Sequence, residues 1–294
     1  MLLKLGTRKS PLALAQANQV RSKLLAAHAG LEVEIVHIIT SGDKFLNQPL
    51  ADIGGKGLFT KEIEEGLLSG ELDIAVHSMK DVPTVLPAGL VISAMLPRED
   101  PRDMLIGACI KNGLMDLPKN AVFGTSSLRR AAQAKIKRPD LQIVPFRGNV
   151  QTRLAKLERG EAQVTMLAKA GLNRLGLADI AGAVLPVEEF LPAIAQGAVG
   201  IECREDNIKT RELLAALSHR PTEIAANCER AFLRVLDGSC RTPISGYALI
   251  NNDEIYLRGL IAAPDGSSHQ KAELRGSSKD AIAIGVEVGK MLLK

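Results

Sequence analysis

The chain has 294 residues, 46% of them hydrophobic, which on a length prior is enough for two or three domains with their own cores. A formal charge of +4, 3% aromatic residues and no Trp argue against a polyanionic polymer as partner and against the aromatic platforms on which single-stranded nucleic acids stack. No apolar run approaches the roughly 18 residues of a membrane span, and the N-terminus lacks a signal-type hydrophobic core, so a cytoplasmic protein without membrane or nucleic-acid partners is expected.

Leu2 to Leu5 predict a strand, and Ser10-Pro11 supplies the cap and first residue of a helix striped by Ala13, Ala17, Val20 and Leu24. Glu32 to Ile39 predict a second strand closed by Thr40-Ser41-Gly42-Asp43, which makes a βαβ unit of a parallel sheet. The glycine-rich stretch Ile53 to Phe59 leads into a helix from about Phe59 to Ser69. Its spacing is not that of a Walker loop, because Gly57 follows Lys56. It reads equally as an ordinary loop or as a lid that delivers Lys56 and Phe59 to a cleft. Ile74 to Val76 predict a buried strand, and Pro83 turns Val82 away from helix, so Lys80 and Asp81 fall on the loop at the strand's carboxyl end. Ligands of open α/β sheets bind at that edge. A strand at Val91 to Met95 is followed by Leu96 to Pro101, which has the composition of a linker.

Beyond the linker the alternation restarts. Strands are predicted at Val122 to Gly124, Gln142 to Phe146 and Val164 to Leu167, with helices capped by Ser127 and Asn149 and a further helix between Ala168 and Leu175. Val199 to Cys203 and a helix from Thr210 to Leu217 could complete either α/β domain. From Pro221 the pattern becomes a helix, strands at Tyr247 to Ile250, Glu254 to Ala262 and near Lys271 to Leu274, and a last helix from Ser277 or Ser278, a small α+β domain.

Three predicted helices carry arginine where the helix dipole is positive: Arg8 before the Ser10 cap, Arg129 and Arg130 after Ser127, and Arg147 before Asn149. A cation there is unfavourable by about 0.3–1 kcal/mol unless an anion gathers the free N–H groups and the guanidinium together. Pairing with a nearby carboxylate would explain any one of them. The repetition points to a multiply anionic ligand, with Arg153 and Arg174 extending the site. Cys109, Cys203, Cys228 and Cys240 form no C-x-x-C pair and the histidines no ligand spacing, so no metal site is expected. Burial suits the first three cysteines. Cys240, between Gly238-Ser239 and Pro243, lies in a tight loop where Arg241 could favour a reactive thiolate.

Thr7-Arg8-Lys9-Ser10-Pro11-Leu12-Ala13, Gly54-Gly55-Lys56-Gly57-Leu58-Phe59, His77-Ser78-Met79-Lys80-Asp81-Val82-Pro83, Gly124-Thr125-Ser126-Ser127-Leu128-Arg129-Arg130, Arg147-Gly148-Asn149-Val150 and Cys240-x-x-Pro243 together resemble the porphobilinogen deaminases, or hydroxymethylbilane synthases. The motifs run in the family's order along nearly the whole chain. The resemblance implies a transferase of tetrapyrrole synthesis that joins four porphobilinogens head to tail with loss of ammonia. It implies a dipyrromethane cofactor on a thioether to Cys240, and an α/β fold of two periplasmic-binding-protein-like domains plus a small C-terminal α+β domain. The domains would be 1–97 with 198–217, 98–197, and 218–294. By motif matching, Asp81 is the catalytic residue. Cys240, Lys80, Ser127, Arg129, Arg130 and Asp43 would hold the cofactor, Arg8, Ser10, Arg147, Arg153 and Arg174 the substrate, and Lys56 and Phe59 belong to the covering loop. A monomer is expected, and no metal. Ser239 stands where the family often has glycine, and Asp52 where some members have lysine. The alternative is a two-domain anion-binding protein of the same fold without catalysis, which would need neither Cys240 nor Asp81.

Overall fold

The computed structural model describes residues 1–44, 57, 59–108, 110, 112–236 and 242–293. β1 (Leu2–Arg8) leads into α1 (Pro11–Ala27), which starts as expected: Ser10 is extended and its hydroxyl accepts from the Ala13 N–H at 3.3 Å. β2 (Glu32–Ile38), the short α2 (Ser41–Lys44), α3 (Lys61–Ser69), β3 (Ile74–Ser78) and β4 (Leu90–Met95) follow. α3 starts two residues beyond Phe59, after Thr60, and ends at Gly70 in the left-handed region at φ 82°. Residues 96–102 carry no regular element, as their linker composition predicts.

Next come β5 (Asp103–Gly107), which the sequence reading passed over, β6 (Val122–Gly124), α4 (Leu128–Lys137), β7 (Gln142–Val144) and α5 (Val150–Glu158). β8 (Val164–Ala168), α6 (Lys169–Arg174), β9 (Ala183–Val184), β10 (Val199–Arg204), α7 (Ile208–Ala215) and α8 (Arg220–Val235) continue the chain. β11 (Ile244–Asn251), β12 (Glu254–Ala262), β13 (His269–Ser277) and α9 (Ala281–Met291) complete it.

The described residues form two compact units, one made of those up to 99 and of 197–223, the other of 100–196 and those from 224 on. In the first, the sheet order is β2-β1-β3-β10-β4, with β1, β2 and β3 parallel and β10 antiparallel to both of its neighbours. Strand alternation sends Leu3, Leu5, Ile74 and Val76 into a core with Ala17, Val20 and Leu24 of α1, while Ala75 packs with Ile63 and Leu67 of α3. The second unit repeats this plan as β7-β6-β8-β5-β9, with β5 antiparallel to β8 and β9. The antiparallel slot is thus filled by the last strand of one sheet and the first strand of the other. Val199 to Cys203, whose residue pattern alone fitted either α/β domain, pairs with β3 and β4.

The second unit also holds the antiparallel meander β11-β12-β13, whose Gly259 lets the fully buried Phe232 of α8 approach; a Cβ there would lie 2.7 Å from the ring. Ala132 of α4 packs with Leu260 and Ala262 of β12, so this sheet is anchored on the α/β layer. Two α/β sheets and a small α+β sheet are the fold class expected. Among the described residues, no helix is long and apolar enough to cross a membrane.

Candidate active site

In the first unit, β3 is buried from Ile74 to His77 and passes at its carboxyl end into a single 3-10 turn, Met79–Asp81. The buried Met79 is tied by its N–H to the Ala198 carbonyl at 3.0 Å, and Pro83 stops further helix, so Lys80 and Asp81 are held out in exposed positions. Asp81 lines a cleft with Arg8, Ser10, Gln16, Phe59, Thr60, His77 and Ser78. The Arg8 guanidinium lies 4.3 Å above the Phe59 ring, and Gln16 donates to the Ser78 hydroxyl at 3.0 Å. A carboxylate, a guanidinium and the capped N-terminus of α1 therefore meet in one concavity. It can hold an anionic group and, beside it, stabilise positive charge.

The second unit carries the other arginines. Ser127 caps α4, accepting from the Arg130 N–H at 3.4 Å, and Asn149 caps α5, accepting from the Thr152 N–H at 2.8 Å. Arg129 and Arg130 share the carboxylate of Asp103, the first residue of β5: Nη2 of each donates to one oxygen at 2.7 Å. Their Nη1 groups donate to the carbonyls of Leu191 and Met166, both at 2.8 Å. All three side chains are buried. Burial works against ionising Asp103, but the two guanidinium charges and their hydrogen bonds outweigh it and hold the carboxyl well below the ordinary carboxylate range. The counter-anion that the sequence asked for at α4 is thus supplied by the protein, and two cations on one carboxylate still leave a formal charge of +1.

Arg147 is half-buried just before α5, and Arg153 in its first turn donates from Nε to the Gly148 carbonyl at 2.9 Å. Arg174, also half-buried, ends α6. Cys240 and Lys56 lie outside the described residues, as do Cys109, Ser239, Arg241 and the side chain of Asp43 on α2. Cys203 and Cys228 are buried, and burial pushes the Cys228 thiol up to about 12, so neither is a nucleophile.

The sequence reading missed two acids buried on strands. Asp103 heads the apolar run Met104-Leu105-Ile106, and Glu202 interrupts Val199 to Cys203 within 2.9 Å of His77. An acid in an otherwise apolar strand was the available signal.

The family model described as porphobilinogen deaminase, dipyromethane cofactor binding domain, matches residues 3–212, and that of the porphobilinogen deaminase C-terminal domain matches residues 224–294. The porphobilinogen deaminase of Paracoccus denitrificans is 53% identical over 293 residues, covering 99% of this chain and 93% of the relative. The chloroplastic enzyme of Oryza sativa is 53% identical over 295 residues, 98% of this chain and 81% of its own length. That of Nitrobacter hamburgensis is 51% identical over 294 residues, 99% and 93%. With the two family models matched over most of its residues and relatives above half identity over nearly its whole length, this chain belongs to the porphobilinogen deaminase family.

Proposed function

We propose that this chain joins four porphobilinogen molecules head to tail into hydroxymethylbilane, releasing one ammonia per molecule. The observation that carries the proposal is the Asp81 carboxylate in a cleft with Arg8 and Ser10. Departure of ammonia leaves a cationic azafulvene, and a carboxylate fixed at a strand end stabilises that charge while Arg8 and the α1 N-terminus hold a pyrrole carboxylate. Phe59 steadies the Arg8 guanidinium from its face, and Lys56 belongs to the same covering loop.

The donor set fits a dipyrromethane, because each pyrrole bears an acetate and a propionate. Arg129 and Arg130 retain a net charge of +1 over Asp103, and Arg147 and Arg153 flank a capped helix start. We assign Ser127, Arg129, Arg130, Lys80 and Asp43 to the cofactor, with its thioether on Cys240, and Arg8, Ser10, Arg147, Arg153 and Arg174 to substrate carboxylates. The dipyrromethane, when bound, supplies an anchored primer for chain growth. We also take residues 1–97 with 198–217, 98–197 and 218–294 as the three domains of a cytoplasmic monomer.

Intact mass tests the attachment: an excess of two pyrrole units that disappears in Cys240→Ser is expected, and a bare polypeptide mass from folded protein refutes it. Asp81→Ala should keep the excess mass yet lose about 10²-fold or more of its turnover. Bare mass together with no turnover would favour a binding protein of the same fold.

A further inference from the structure

β3 is apolar from Ile74 to Val76, yet the next residue is His77, an imidazole only 6% exposed that lines the Asp81 cleft. Behind it on β10 lies the fully buried Glu202. The register sets Glu202 opposite Ala75 and Gly200 opposite His77, so the two ionisable side chains share one sheet face. His77 Nε2 is 2.9 Å from Glu202 Oε2, close but off the line of a hydrogen bond, and neither Glu202 oxygen has a hydrogen-bond partner among the described residues. α3 covers this face and adds Glu64, 7% exposed. Burial pushes the Glu64 carboxyl up, opposed by a hydrogen bond with Thr60, and the nearby Glu202 adds to the rise. The charged groups around the imidazole are thus Glu202 from β10 and Glu64 from α3, with Asp81 and Arg8 in the cleft. Arg204, two residues beyond Glu202 on β10, is directed to the carbonyls of Leu67 and Leu72.

Two buried carboxyl groups beside a single imidazole are costly for stability, and apolar residues of similar volume would pack there more cheaply. The imidazole is the member of this cluster that reaches the cleft. We propose that His77, with Glu202 beside it and Glu64 behind, is a second acid–base residue of the cleft that accepts the proton released at each condensation. The inference rests on the Asp81 cleft being the reaction site. In each round the C–N bond of the protonated aminomethyl group breaks, with its electron pair leaving on ammonia. The carbon–carbon bond then forms from a pyrrole electron pair, and the C–H bond at that carbon returns its pair to the ring as the proton goes to the imidazole. The imidazolium then hands the proton to ammonia or water. A separate acceptor leaves Asp81 ionised for the next cation.

The test is kcat against pH for the unaltered holoenzyme and for His77→Gln, Glu202→Gln and Asp81→Ala, each normalised to cofactor-bearing protein by intact mass. The unaltered enzyme should change kcat through the histidine range, about pH 5–8. His77→Gln should lose that limb and about 10²-fold in kcat with little change in KM. Glu202→Gln should move the limb, because it replaces the carboxyl group 2.9 Å from the imidazole. A merely structural role would lower Tm and yield but leave normalised kcat and the limb in place, and that result overturns the proposal. A flat profile in the unaltered enzyme overturns it whatever the variants do. If His77→Gln does not fold, an unmoved limb in Glu202→Gln does the same. Near-normal turnover by Asp81→Ala would instead remove the reading of the cleft itself.

Discussion

Replacing Asp103 by asparagine keeps the shape of the side chain and removes its charge, which isolates what one buried carboxylate does for two buried arginines. The carboxylate is fully buried and accepts from Arg129 and Arg130 at 2.7 Å each and from Gln196 Nε2 at 3.1 Å. A neutral amide in its place would leave two adjacent guanidiniums buried at the start of α4, where the helix dipole already disfavours them. Removing one partner of such a buried pair costs about 3–5 kcal/mol, which is roughly 6–20 °C in Tm.

The acid dependence follows with a definite sign. The folded-state pKa lies below the ordinary 3.8, so the unfolded chain takes up a proton on Asp103 first. Its contribution is therefore complete above about 3.8 and is lost as pH falls below that value. Urea unfolding from about pH 7 down to about pH 2 should show Asp103→Asn far less stable than the unaltered protein at neutral pH, with the gap closing in acid. A loss under about 1 kcal/mol, the value of an exposed ion pair, or parallel curves in acid would refute the reasoning.

Gly148→Ala should destabilise by on the order of 2–4 kcal/mol in urea, because φ is 121° and the new Cβ would lie 2.6 Å from Thr152 in the capped first turn of α5; an unchanged midpoint would contradict this. Glu64→Gln should gain on the unaltered protein as pH rises above 4.5, since a carboxyl whose folded pKa is raised increasingly opposes folding once the unfolded chain ionises. Unfolding free energies at about pH 4.5, 5.5 and 7 check it, and a gap that does not grow refutes it. Ser127→Ala should cost about 1 kcal/mol as a lost N-cap, read as a fall in the urea midpoint, and no fall would show the cap to be idle.

Much of the architecture was legible because its causes are local. Ser10, Ser127 and Asn149 each announce a helix start by offering a side-chain oxygen to N–H groups three residues on, and all three do so in the structure. The buried run Ile74 to Val76 ended by Pro83 placed Asp81 at a strand end for equally local reasons. Phe59 was too early a start for α3 because Thr60 takes the cap position. β5 went unread because its first residue is an acid behind a linker-like segment, and that acid makes sense only with arginines 26 and 27 residues away.

Local sequence alone dictates most of the elements, the order of the motifs and the surplus of arginine at helix starts, since each of these is set within a few residues of the chain. Which groups become partners is a matter of tertiary structure. Asp103 meets Arg129 and Arg130, His77 meets Glu202, and β10 joins β3 and β4, because strand pairing and burial bring together residues that no local pattern relates and then require their charges to be met.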